Sequence, residues 1–240
     1  MNEKMVNTAI GTGTVCTWLH RRQEPLCLLF FAGWGMDARP FAPLGAGGVD
    51  VCMLGNYRHL EAPQLPELRH YEELVVLAWS FGVWIAAQVL PWPLQAQSRA
   101  VIALGGTLQP VDARLGLAPG QFQGMLAGLD EEKLHSFYQA MFDEPAHATT
   151  FLANRPQQNL AALRSELEFL YNASLQSRSS VDIFTHRIIT GRDRIFSGRN
   201  QARAWGREDT HSLRTMSWPH FPFYQFHTWG EVLATLLPEL

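Results

Sequence analysis

Short, continuous apolar runs recur along this chain, each about as long as a strand and each closed by turn-forming residues. They lie at Leu26–Ala32 (LCLLFFA), Val49–Leu54, Val75–Trp79, Ala100–Leu104 and Arg187–Thr190. A strand wetted on one face alternates apolar and polar residues, so a run without alternation reads as a strand covered on both faces. Helical stretches fall between several of them, at Phe81–Leu90 and at Gly198–Trp205, the second behind Ser197 as a cap. Buried strands alternating with helices predict an α/β class: a mostly parallel sheet with helices on both faces. At 240 residues, 47% hydrophobic and 17% charged, the chain can fill one core of that size.

The rhythm breaks in the middle. From Gln121 to Gln176 strand-like runs give way to helical spacing. Asp130 stands as a cap before Leu134, Phe137 and Met141, and a second helical stretch runs from Asn159 to Ser174. The expected organisation is therefore a core of residues 1–120 and 177–240, interrupted by a helical lid insertion at 121–176.

Composition removes several function classes. A net charge of -3 argues against a protein built to coat nucleic acid. Arginines are concentrated between Arg178 and Arg207, where only Asp182 and Asp193 oppose them. Cys16, Cys27 and Cys52 form an odd set with no metal-like or paired spacing, so neither a disulfide framework nor a zinc site is expected. The N-terminus has no signal-peptide layout, and Leu26–Ala32 is too short to span a membrane, so the expected location is the cytoplasm. Ile10–Val15 (IGTGTV) lacks the third glycine and the preceding strand of a dinucleotide fingerprint and reads as a turn. With no phosphate-binding loop and no paired-histidine motif, no cofactor or metal is expected.

One residue interrupts the apolar pattern where a sheet presents its ligands. Ser80 follows the run Val75–Trp79 and precedes a helix, within Ala78-Trp79-Ser80-Phe81-Gly82. Ligands in open parallel sheets collect at the carboxyl ends of the strands. A serine on a sharp strand-to-helix turn between small residues is a nucleophile elbow, G-x-S-x-G, here with alanine in place of the first glycine. Three other segments fall in similar positions. Phe30–Asp37 (FFAGWGMD) places a glycine-flanked turn after a strand, where the backbone N–H of Trp34 can stand beside that of Phe81 as an oxyanion hole. Thr190–Phe196 (TGRDRIF) puts Asp193 behind a late strand, and Trp218–Phe226 (WPHFPFYQF) puts His220 behind strand-like Leu213–Trp218. The order Ser80, Asp193, His220 is that of α/β-hydrolase triads, with His220 taking the serine proton and Asp193 orienting the imidazole. His186 and His211 compete for the base, and Asp182 stands next in line for the acid.

The segments at 28–41, 57–60 (YRHL), 76–86, 186–196 and 220–226, taken together, resemble the BioG family of pimeloyl-[acyl-carrier-protein] methyl ester esterases. The resemblance runs from about Gly13 to near the C-terminus, with FAGWGMD its most specific part. It implies an α/β-hydrolase with a helical lid. The implied reaction cleaves the methyl ester of pimeloyl-acyl carrier protein in biotin assembly and leaves the thioester intact. Carried onto this chain, it makes Ser80 nucleophile, Asp193 acid and His220 base, with Trp34 and Phe81 as oxyanion donors. Trp34 and Trp79 would flank the acyl chain. The implied partner is the acidic acyl carrier protein, for which Arg155, Arg164 and the arginines of 178–207 are candidate contacts. A small-molecule esterase or thioesterase with the same triad, or a non-catalytic binding protein of this fold, would carry many of the same residues.

Overall fold

Residues 7–10, 14–177, 180–206 and 213–238 are described in a computed structural model of the chain. Within them, eight strands form one sheet: β1 (Asn7–Ile10), β2 (Thr14–His20), β3 (Leu26–Phe31), β4 (Asp50–Gly55), β5 (Glu73–Trp79), β6 (Ala100–Leu104), β7 (His186–Thr190) and β8 (Leu213–Met216). Their order is β1-β2-β4-β3-β5-β6-β7-β8. β1 and β2 run antiparallel at one edge, and β3 to β8 are parallel. Every residue from Cys27 to Phe31 is fully buried. Successive strand residues point to opposite faces, so both faces of the sheet are covered.

The five apolar runs form β3 to β7, with boundaries shifted by a residue or two. The edge pair β1–β2 lay outside that pattern, because TVCTWLH mixes polar and apolar residues and half of one face stays partly exposed. Ile10 ends β1 and Thr14 begins β2, while the glycine turn read between them falls outside the described residues. Pairing of β2 with β4 also brings Cys16 and Cys52 to 3.0 Å, a proximity that sequence spacing does not reveal; all three cysteines are free thiols.

Helices α1 (Phe81–Val89) and α2 (Trp92–Gln97) lie between β5 and β6, and α7 (Gly198–Trp205) lies between β7 and β8. The excursion between β6 and β7 holds α3 (Pro119–Ala127), α4 (Glu131–Ala140), α5 (Pro145–Ala153) and α6 (Leu160–Gln176). Asp130 accepts from Lys133 N–H at 2.8 Å and Asn159 from Ala162 N–H at 2.9 Å, capping α4 and α6. Such caps are each worth about 1 kcal/mol. Ser197 caps α7 in the same way. α8 (Trp229–Leu236) follows β8 and packs Trp229 against Phe30, Phe41 and Phe223.

β4 lies on one side of β3 and β5 on the other, so the chain reverses direction across the sheet at β3. A crevice opens outside the carboxyl ends of the strands at such a switch point. Among the described residues no helix is long and apolar enough to cross a membrane.

Candidate active site

Ser80 is forced into its turn by the elements on either side. β5 ends at Trp79 and α1 begins at Phe81, leaving Ser80 at φ 60° and ψ -126°. A side chain in that region costs about 1–3 kcal/mol and persists only when its surroundings enforce it. Here Ser80 N–H is held by the Leu104 carbonyl at 3.0 Å. Gly82 has to be glycine, because a Cβ there would overlap the carbonyl oxygens of Phe31 and Ala32. Ala78 takes the place of the first glycine of the motif inside β5, where its methyl is fully buried.

Three loops bring the remaining predicted groups to the same rim. Ser80 Oγ lies 2.9 Å from His220 Nε2, and His220 Nδ1 lies 2.7 Å from Asp193 Oδ2. Asp193 accepts from four further donors: Ile195 and Phe196 N–H at 2.8 Å on Oδ1, and Thr190 Oγ1 at 2.8 Å and Gln201 Nε2 at 3.2 Å on Oδ2. This leaves the carboxylate one orientation. With Nδ1–H donating to Asp193, the tautomer of His220 presents Nε2 as the acceptor for the serine hydroxyl. The imidazole stacks on Phe196 at 6.0 Å, and the His220 carbonyl accepts from Trp79 Nε1 at 2.7 Å. Phe221 and Phe223 anchor the loop among Phe41, Trp79 and Trp229.

Trp34 and Phe81 both line the crevice beside Ser80. Phe81 is the first residue of α1, so helix geometry leaves its N–H without an intrahelical acceptor. A cavity of about 180 Å³ opens here, lined by Gly33, Trp34, Ser80, Phe81 and His220. Its apolar walls come from the helical excursion: Phe122 of α3, Phe137 of α4 and Leu167 of α6. The volume exceeds the ~150 Å³ that accommodates benzene in an engineered cavity. Trp79 lines it too, although its ring is almost wholly buried in the aromatic cluster and its indole N–H is spent on His220. Arg194 is the cavity's charged lining residue and also donates to the Phe142 carbonyl.

The competing candidates sit elsewhere. His186 and Asp182 are at the amino end of β7, the opposite rim, where Asp182 pairs with Arg187 at 2.5 Å. His211, Arg178 and Arg207 lie outside the described residues. Arg155 pairs with Glu131 and Arg164 donates to the carbonyls of Leu126 and Leu129, so both are engaged within the helical excursion. Among the described residues no cluster of three or more metal-ligating side chains occurs.

Sequence reading missed Glu166. It is fully buried on α6, in a stripe with Leu163, Leu167 and Leu170. An acid at helical spacing among leucines was the available signal. Burial pushes its pKa from 4.5 up to about 7, against the pull of Tyr57 and Gly35 N–H and the charge of Arg58. The folded protein therefore holds a proton that the unfolded chain releases at lower pH. Stability contributed by this group is full below about pH 4.5 and falls by about 3 kcal/mol as pH rises through about 7. Urea denaturation across that window should reveal the decline in the parent protein, and Glu166→Gln should remove that share of it.

The profile described as "Pimeloyl-ACP methyl esterase BioG" matches residues 16–232 of this chain. The chain belongs to the BioG family. The family so described is one of carboxylic ester hydrolases. It is also similar to a protein from Bacteroides fragilis named malonyl-[acyl-carrier protein] O-methyltransferase, at 36% identity over 181 residues. That match takes in 74% of this chain but spans only 36% of the relative. BioG from Haemophilus influenzae superposes with a TM-score of 0.76 at 24% identity, covering 92% of this chain and 99% of that one. A hydrolase from Pseudomonas aeruginosa superposes with a TM-score of 0.59 at 13% identity, covering 99% of both chains. Likeness at these identities establishes the α/β-hydrolase fold.

Proposed function

We propose that this BioG-family chain hydrolyses the methyl ester of pimeloyl-acyl carrier protein in biotin synthesis, yielding methanol and the free carboxylate while sparing the thioester. The observation that carries this reading is the chain of contacts from Ser80 through His220 to Asp193, at 2.9 and 2.7 Å, on the rim of an apolar cavity. Ser80 Oγ attacks the ester carbonyl as His220 Nε2 takes its proton. Charge on the carbonyl oxygen is met by the N–H groups of Trp34 and Phe81. Collapse expels methoxide, which takes the proton from His220 and leaves as methanol. Water, deprotonated by His220, then cleaves the acyl-serine, and the proton returns to Ser80. Asp193 holds the imidazolium through both halves.

The aromatic and methionine side chains around the cavity suit an acyl chain, with Trp34 and Trp79 beside it. Helices α3 to α6 act as the lid. Arg192 and Arg194 lie beside Asp193, exposed although Arg192 pairs with Asp143 and Arg194 donates to the Phe142 carbonyl, where cations would meet an acidic carrier protein. The methyltransferase name of the Bacteroides relative supports the same chemistry, since methyl transfer to a carrier-bound acid makes the kind of ester that this site would remove.

The test presents methyl pimeloyl-carrier protein to the purified protein and follows the carrier by mass spectrometry. Expected is loss of the methyl group with the thioester retained, at a kcat/KM well above that for p-nitrophenyl esters. Release of a free carrier thiol would make the protein a thioesterase. Preference for the simple esters would make it a small-molecule esterase. No turnover, and no fluorophosphonate adduct on Ser80, would leave a binding protein.

A further inference from the structure

Glu166 has no part in the proton transfers above, yet it touches the loop that presents the oxyanion donor. A carboxylate in an apolar helix stripe is costly unless donors meet it. Two backbone groups do so: Gly35 N–H reaches Oε2 at 3.2 Å and Tyr57 N–H reaches Oε1 at 2.9 Å. These donors belong to the loops that follow β3 and β4. One turn earlier on α6, the Leu163 carbonyl accepts from Trp34 Nε1 at 3.0 Å. Gly35 adopts φ +72°, and a Cβ on it would stand 2.8 Å from Leu163 Cδ2, so the turn fits closely against α6. The Trp34 ring meets Phe137 of α4 edge-on at 5.2 Å. Tyr57 is itself fixed, its hydroxyl lying 2.9 Å from the carbonyls of both Ala32 and Leu54.

We propose that Glu166 is a positioning residue that sets the Gly33–Gly35 turn so that Trp34 N–H meets the developing oxyanion. This deepens the reading above and rests on its assignment of Trp34 as a donor. An oxyanion donor contributes most when its direction is fixed before charge develops. The two oxygens of one carboxyl group, each accepting from a backbone N–H, fix the peptide that follows Trp34 and tie it to the neighbouring loop. The helical excursion is thereby part of the catalytic apparatus as well as its cover.

Glu166→Gln in the full chain tests this. Glutamine offers one acceptor oxygen and turns its amide N–H₂ toward the second donor, so one of the two loops is released. Expected is a fall in kcat of about ten- to a hundredfold per titrated active site, below the effect of losing a donor outright. KM should stay within about twofold, because the apolar walls are untouched. Affinity for an alkylboronic acid, whose tetrahedral adduct on Ser80 places an anionic oxygen in the hole, should fall by the same factor. A purely structural role would lower the melting temperature and the active fraction without moving either quantity. Glu166→Asp, which keeps the carboxyl group and both of its oxygens on a shorter reach, serves if Glu166→Gln fails to fold, with the same direction expected. Boronate affinity and kcat both within twofold of the parent would overturn the positioning role. Ser80→Ala run alongside separates the two ideas. An active Ser80→Ala protein removes the site reading itself, whereas an inactive one beside a normal Glu166→Gln removes only the role of Glu166.

Discussion

Ser80→Ala is expected to lower kcat for methyl ester hydrolysis by roughly a millionfold, the scale reached when the nucleophile of a triad is removed. His220 would then have no hydroxyl to deprotonate, and the N–H groups of Trp34 and Phe81 would polarise a carbonyl that nothing attacks. Some turnover over water should survive, since the donors and the cavity remain. The fold should survive as well. Alanine keeps the Cβ that serine already holds at φ 60°, so the backbone strain is the same in both proteins. Stability measured in urea should therefore stay within about 1 kcal/mol of the parent. Retention of a tenth of the parent rate would mean that another nucleophile does the work.

Asp193→Asn is expected to cost about 10⁴-fold in kcat, for a reason visible in the hydrogen bonds around it. Oδ1 accepts from the N–H groups of Ile195 and Phe196, both at 2.8 Å. An asparagine must keep its carbonyl oxygen at those two donors, which sends its N–H₂ toward His220 Nδ1. The ring then accepts at Nδ1 and carries its proton on Nε2, pointing at Ser80 Oγ, the wrong tautomer for a base. Expression and melting temperature should change little, and KM should hold while kcat collapses. A variant with near-parent kcat would mean that this carboxylate does not orient the base. Asp182 would not then be a simple substitute, because it is paired with Arg187 at the far rim of the sheet.

Both variants rest on groups that the sequence offered. Ser80 and Asp193 follow apolar runs and His220 follows a strand-like stretch, and strands of one parallel sheet end at a common edge, so local pattern was enough to bring them together. The place of Trp34 in the cavity lining, after β3, was legible for the same reason. Glu166 was not. Helical spacing tells which residues share a face, and it put this acid among leucines, but nothing local says that the face would meet the loops after β3 and β4. The contact of Cys16 with Cys52 escaped for the related reason that it depends on which strands pair. The arginines show the converse limit. Charge counting marked a cluster, while partners such as Asp182, Asp143 and the carbonyls of Leu126 and Leu129 decide which guanidinium groups stay at the surface near the cavity.

The hydroxyl and the imidazole that face each other across 2.9 Å are 140 residues apart along the chain. Translation at the usual pace separates their emergence by on the order of ten seconds. Throughout that interval the growing polypeptide carries a serine with no imidazole to activate it. On the proposed triad, hydrolytic competence arrives only after the last parallel strand has docked, and a prematurely terminated product lacking that strand and His220 would have no base to activate Ser80.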